Sequence, residues 1–209
     1  MKGLFLCKYM QETETHPNWF YDFYPMHGLV LGSFPPHQSK YSFPFYYPNK
    51  QNRFWKVVSL IVNLPLEVPL FDKERAIEER KAIMKKLKIG IHDVGLEIIR
   101  SNNSSLDSKI QIVKYQDIKS IVLNHPELNK IYLLGFAAKS SAARTFLNYL
   151  QSERIMTKFP LDFEIKAENT FLIFIEKRAI ECVILNSTSS ASTVALEQLK
   201  AQFEKYMKL

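Results

Sequence analysis

Apolar positions in this chain follow two rhythms. Gly28 to Phe34 is an almost unbroken apolar run and predicts a buried strand. Arg53 to Val62 is apolar nearly all round, as in a helix covered on every side. Pro65 and Pro69 break the segment from Asn63 to Phe71. From Asp72 to Lys88, Ala76, Ile77, Arg80, Ile83, Met84 and Leu87 form one stripe of a charged helix, with Gly90 as its stop. Ile91 to Arg100 reads as a second short helix or a turn-rich segment. Ser104-Ser105-Leu106-Asp107 fits a capping box, and Asp117 caps a helix that ends near His125-Pro126. Lys130 to Leu134 is a strand leading into Gly135, and Ala137 to Leu150 is an Ala-rich helix. Thr170 to Glu176 and Ile180 to Leu185 are strands. Thr193 to Met207 closes the chain as an amphipathic helix, with Ala195, Leu199, Phe203 and Tyr206 on one face. Residues 1–27 are aromatic and irregular, and are expected to wrap the surface.

Strands alternating with helices predict an α/β fold with a mostly parallel sheet covered on both faces. The short spacing around Ala179 makes the last strand pair locally antiparallel. A length of 209 residues, 46% of them hydrophobic, suits one domain spanning 1–209 with a real core. In such sheets the strand-to-helix loops share one edge, where ligands bind. Three loops here are small and polar: Gly32-Ser33, Gly135 to Lys139, and Asn186 to Thr193. Most positions from Ser187 to Thr193 are Ser or Thr, more than a helix cap needs. The excess hydroxyls and free N–H groups point to a phosphate contact.

Charge strengthens that expectation. Lys and Arg number 28 against 21 acids, a formal net charge of +7, which favours a polyanionic partner, nucleic acid first. The two cysteines, Cys7 and Cys182, are far apart and suit a reducing compartment. No apolar segment has signal-peptide or membrane-spanning length, so the expectation is a cytoplasmic protein without a membrane partner. His16, His27, His37, His92 and His125 show no metal-ligand spacing, and neither metal nor cofactor is expected. The chain lacks GxGxxG, Walker and GxSxG motifs, which argues against an enzyme of free nucleotides. His92-Asp93 is a weak acid–base candidate, because neighbours on a helix point apart.

The loops carry a family resemblance. Leu31-Gly32-Ser33-Phe34-Pro35, Phe45-Tyr46-Tyr47-Pro48 and Asn52-Arg53-Phe54-Trp55-Lys56-Val57 together resemble the first motif of the uracil-DNA glycosylase superfamily. The pattern is closest to the branch of mismatch-specific uracil-DNA glycosylases and hypoxanthine-DNA glycosylases. Gly90 to Val94 and Ser105 to Ser108 are further matches, and Ser187 to Ala191 resembles the second motif. The resemblance implies a three-layer α/β/α sandwich, no cofactor, and a monomeric, monofunctional DNA glycosylase removing uracil or hypoxanthine from DNA. By position, Asn52 would hold the attacking water and Tyr47 would stack on the flipped base. Gly32, Ser33 and Phe34 would line the base pocket, and Ser187, Thr188, Ser189 and Ser190 would grip phosphate. On spacing alone, Asn52 equally suits a helix cap and the tyrosines equally suit core packing. Phe34 stands where many relatives carry Asp or Asn, and Asn186 and Ser190 stand where prolines are usual. Those departures motivate the alternative of a glycosylase-like protein that holds nucleic acid with little or no catalysis.

Overall fold

The computed structural model describes residues 13–101 and 109–207. In chain order the elements are β1 (Thr13–Thr15), β2 (Gly28–Gly32), a short 3-10 turn (Gln38–Lys40), α1 (Phe54–Val62), α2 (Lys73–Leu87), β3 (Ile89–Asp93), β4 (Gly95–Arg100) and β5 (Ile110–Tyr115). Then come α3 (Ile118–Asn124), β6 (Lys130–Leu134), α4 (Ala142–Ser152), β7 (Met156–Lys158), β8 (Thr170–Ile175), β9 (Arg178–Leu185) and α5 (Leu196–Met207). The central sheet runs β3-β2-β6-β9-β8-β7. Its first four strands are parallel, and β8 and β7 join antiparallel. A second, antiparallel sheet has the order β1-β4-β5.

Helices sandwich the central sheet as expected. Helix α1 packs between α2 and α5, so Phe54, Trp55, Val57, Val58, Ile61 and Val62 are all buried. The α3 and α4 helices are joined by the Lys119 N–H, which donates to the Tyr149 hydroxyl at 2.8 Å. Strand β2 is buried along its whole length because β3 and β6 flank it. Helix α2 begins at Asp72, whose side chain accepts from the Arg75 N–H, and buries Ala76, Arg80, Ile83, Met84 and Leu87. Asn63 ends α1 in the left-handed conformation, which asparagine tolerates at small cost.

Several expectations change. Lys88, not Gly90, stops α2, with a φ of 52°. Gly90 lies inside β3, where a Cβ would stand 2.5 Å from the Met26 sulfur. Apart from a bend at Val94, residues 91–100 are strand, the end of β3 and all of β4, not helix. Their polar members, His92 and Asp93, disguise a buried strand because each finds a partner in the interior. The described part of the N-terminal segment is more than a wrap: it adds β1 to the second sheet and buries His16, Phe23 and Met26. Helix α4 starts at Ala142 rather than Ala137, since the Ser141 N–H closes a turn onto the Ala138 carbonyl. Helix α5 starts at Leu196 rather than Thr193. The suggested capping box at Ser104–Asp107 lies outside the described residues, as does Cys7. Cys182 is fully buried, and burial holds its thiol well above the usual range. Among the described residues, no helix is long and apolar enough to cross a membrane.

Candidate active site

At the carboxyl ends of β2 and β3, Gly32 pairs in register with Asp93. The two are so close that a Cβ on Gly32 would lie 2.1 Å from Asp93 Oδ1 and 3.6 Å from the Tyr47 hydroxyl. The missing side chain is what lets carboxyl and phenol approach the strand end. Asp93 Oδ2 meets His16 Nε2 at 3.0 Å. His16 is boxed by the rings of Trp19, Phe34, Tyr46 and His92, with centroids 5.2 to 6.1 Å away. The N-terminal segment thus reaches across the molecule to fix one oxygen of a buried acid.

A second buried pair braces the aromatic loop. Burial, with Asp93 nearby, holds the Tyr46 hydroxyl well above its usual pKa, so it keeps its proton. Burial first, then the neighbouring His16, lowers the His92 pKa to about 3, so its ring is neutral. The Tyr46 hydroxyl and His92 Nδ1 share a hydrogen bond of 2.9 Å. The Tyr46 carbonyl accepts from Trp55 Nε1 at 2.7 Å. The next residue, Tyr47, is turned into the left-handed region with a φ of 51°, a conformation that costs energy for a bulky side chain. Its ring stacks on Phe54 at 4.3 Å, while its hydroxyl points toward Gly32 and Asp93.

Asn52 links this wall to the serine-rich loop. Its Oδ1 accepts from the Phe54 N–H at 2.9 Å, a cap at the start of α1. The same oxygen accepts from the Thr188 hydroxyl at 2.9 Å. Cap and cross-link coexist, and among the described residues the Asn52 Nδ2 makes no hydrogen bond. Arg53 continues the link. Its N–H donates to the Thr188 carbonyl at 3.0 Å. Its guanidinium donates to the carbonyls of Ser189 at 3.0 Å and Ser192 at 3.1 Å, and also to that of Val194. In the loop itself the Ser187, Ser189 and Ser192 hydroxyl oxygens accept from the N–H groups of Ser189, Ala191 and Val194. Each of those hydroxyls keeps its own proton to donate elsewhere. Ser187 also lies against Gly135, whose φ of 96° brings the β6–α4 loop to the same edge.

Gly32 and Tyr47 meet at Asp93, and Asn52 meets the serine-rich loop directly. Ser33 is buried and its carbonyl accepts from the Gly95 N–H, while Phe34 turns toward His16 and Gly95. Thr188 needs correcting: it is only 2% exposed and its hydroxyl is committed to Asn52, so it joins two motifs and does not face solvent phosphate. Ser187, Ser189 and Ser190 retain outward access. The structure adds His16 and Arg53 to the site, and Asp93 enters it without His92 as an acid–base partner. Asp93 was placed on a helix, where it would diverge from the strand edge. Nothing in the sequence pairs residue 16 with residue 93. Among the described residues, no cluster of three or more His, Cys, Asp or Glu could hold a metal ion.

No protein-family model matches this chain, and no curated protein matches it. Among solved structures, it resembles the solution NMR structure of a protein from Methanosarcina acetivorans described as a "putative Uracil DNA glycosylase". The TM-score is 0.56 and the identity 21%, over 88% of this chain and 90% of that one. The two chains share a fold.

Proposed function

We propose that this protein is a monofunctional DNA glycosylase that hydrolyses the N-glycosidic bond of a deaminated base, uracil or hypoxanthine, in DNA. The observation that carries the reading is the convergence of Asn52, Tyr47, the Gly32–Asp93 pair and the serine-rich loop on one sheet edge. A base within a duplex must be flipped into a pocket that stacks it and reads its edge. Tyr47, backed by Phe54, supplies the stacking face. Asp93 Oδ1 supplies an acceptor at the strand end. Deamination places an N–H at uracil N3 and hypoxanthine N1, where cytosine and adenine have a bare ring nitrogen. An acceptor fixed by His16 suits the deaminated edge, and its contribution is selection and orientation.

Glycosidic cleavage leaves positive charge on the sugar and negative charge on the base, so the water needs placing more than deprotonating. Asn52 does this without titrating. One of its carbonyl bonds is a fixed backbone cap. The other, to the Thr188 hydroxyl, is a side-chain bond that a water can replace. The serine-rich loop holds the flanking phosphates.

The test incubates the full chain with duplexes carrying one uracil or hypoxanthine, followed by alkali. Cleavage at the lesion, lost in Asn52→Ala, is the expected outcome. Tight, salt-dependent DNA binding without base release would favour the second reading, a binding module. The engaged Asn52 carbonyl is the observation on that side. Absence of both binding and release would end the nucleic-acid reading.

A further inference from the structure

The serine-rich loop holds a charge that no acid answers. Among the described residues Arg53 forms no ion pair, and its Nε is buried without a partner. Four carbonyls, from Thr188, Ser189, Ser192 and Val194, converge on this one residue. Peptide planarity fixes the consequence. In a trans peptide the carbonyl and the following N–H point in opposite directions. With the Ser189 and Ser192 carbonyls turned in toward the guanidinium, the N–H groups of Ser190 and Thr193 turn outward. Both residues are exposed, and neither N–H takes a partner among the described residues. The hydroxyls of Ser187, Ser189 and Ser192 keep their protons on the same loop. A concavity of outward N–H groups over a fixed positive charge attracts anions.

We propose that Arg53 is the positioning residue that shapes residues 187–194 into a cradle for a DNA backbone phosphate, with the Ser190 and Thr193 N–H groups as its donors. Arginine is required for its shape as well as its charge. A planar fork reaches three carbonyls from different directions, and a lysine ammonium on a flexible stem cannot hold that set. The proposal rests on the glycosylase reading, because it takes the anion to be the backbone beside the flipped nucleotide.

The experiment measures binding of a uracil-containing duplex against salt concentration, together with KM and kcat for excision. It compares wild type with Arg53→Gln, Arg53→Lys and Thr193→Pro. The last removes a donor N–H and leaves Arg53 intact, so it serves if the Arg53 variants fold poorly. Losing one phosphate contact flattens the plot of log K against log salt by about 0.9. Arg53→Gln is expected to show that change, whereas Thr193→Pro, which removes a neutral donor, should weaken binding at every salt concentration; in both, KM rises more than kcat falls. Arg53→Lys keeps the charge and so the slope, but should weaken binding and raise KM as Arg53→Gln does. Wild-type slope and KM in all folded variants would overturn the proposal while leaving the glycosylase reading intact. Failure of the wild type to bind or excise would instead overturn the reading beneath it. Competition by inorganic phosphate beyond that of chloride at matched ionic strength would show a site for free anion and overturn the assignment to DNA.

Discussion

A methyl group at Gly32 probes the strand end directly. In Gly32→Ala the new Cβ would lie 2.1 Å from Asp93 Oδ1 and 3.3 Å from its Cγ. The carboxyl must retreat by about 1 Å to reach even a close contact. It cannot swing freely, because Oδ2 is bonded to His16 and His16 is boxed by four rings. Overpacking of this kind costs about 1–3 kcal/mol. Stiffening the unfolded chain returns about 0.4–1 kcal/mol, since Gly32 is not in the left-handed region. The net expectation is a loss of about 1–2 kcal/mol in urea denaturation. Displacing a substrate-reading group by about 1 Å should lower kcat/KM by about a hundredfold. In an Asp93→Ala background the methyl keeps only an ordinary 3.6 Å contact with the Tyr47 hydroxyl, so the stability cost should largely vanish. The cycle would then show a coupling of about 1–2 kcal/mol. An equal cost in both backgrounds, or unchanged excision in Gly32→Ala, would refute the claimed contact and its role.

Acid should destabilise the fold through His92. Its pKa drops from 6.5 unfolded to about 3 folded, so its contribution is complete above pH 6.5 and is lost as the unfolded chain takes up protons below it. Between pH 7.5 and 5 that is about 2 kcal/mol, measurable by denaturation, and His92→Gln should flatten the dependence. Thr188→Val removes one hydrogen bond and should cost about 1 kcal/mol of stability. It should spare excision to within several-fold, whereas Asn52→Ala abolishes it; equal loss in the two variants would show that the link itself is essential. Tyr47→Ala should raise KM by about ten- to a hundredfold, from stacking worth about 1–3 kcal/mol per base.

The parallel core was legible because its signals are local. The run at Gly28–Gly32 and the stripe from Ala76 to Leu87 each state their own burial. Residues 91–100 misled because a buried His and Asp break the apolar pattern. Their burial is offset by Tyr46 and His16, which lie 46 and 77 residues away. The joint pattern of Tyr47, Asn52 and the serine-rich loop named residues that the fold brings to one sheet edge. The inward turn of Thr188 and the Arg53 clamp depend on loop path, which hydroxyl content does not encode. The second sheet was hidden for a related reason: β4 and β5 alternate poorly, with exposed Val113 among them.

The central claim is that these groups form one pocket for a base taken out of the helix. Its most direct test is a structure of the full chain bound to duplex DNA carrying a 2′-fluoro deoxyuridine, which resists cleavage. The account predicts the uracil stacked on Tyr47, with its ring N–H within hydrogen-bond distance of Asp93 Oδ1 and a phosphate beside Ser190 and Thr193. A uracil still stacked in the duplex, or seated away from Gly32 and Asn52, would contradict it.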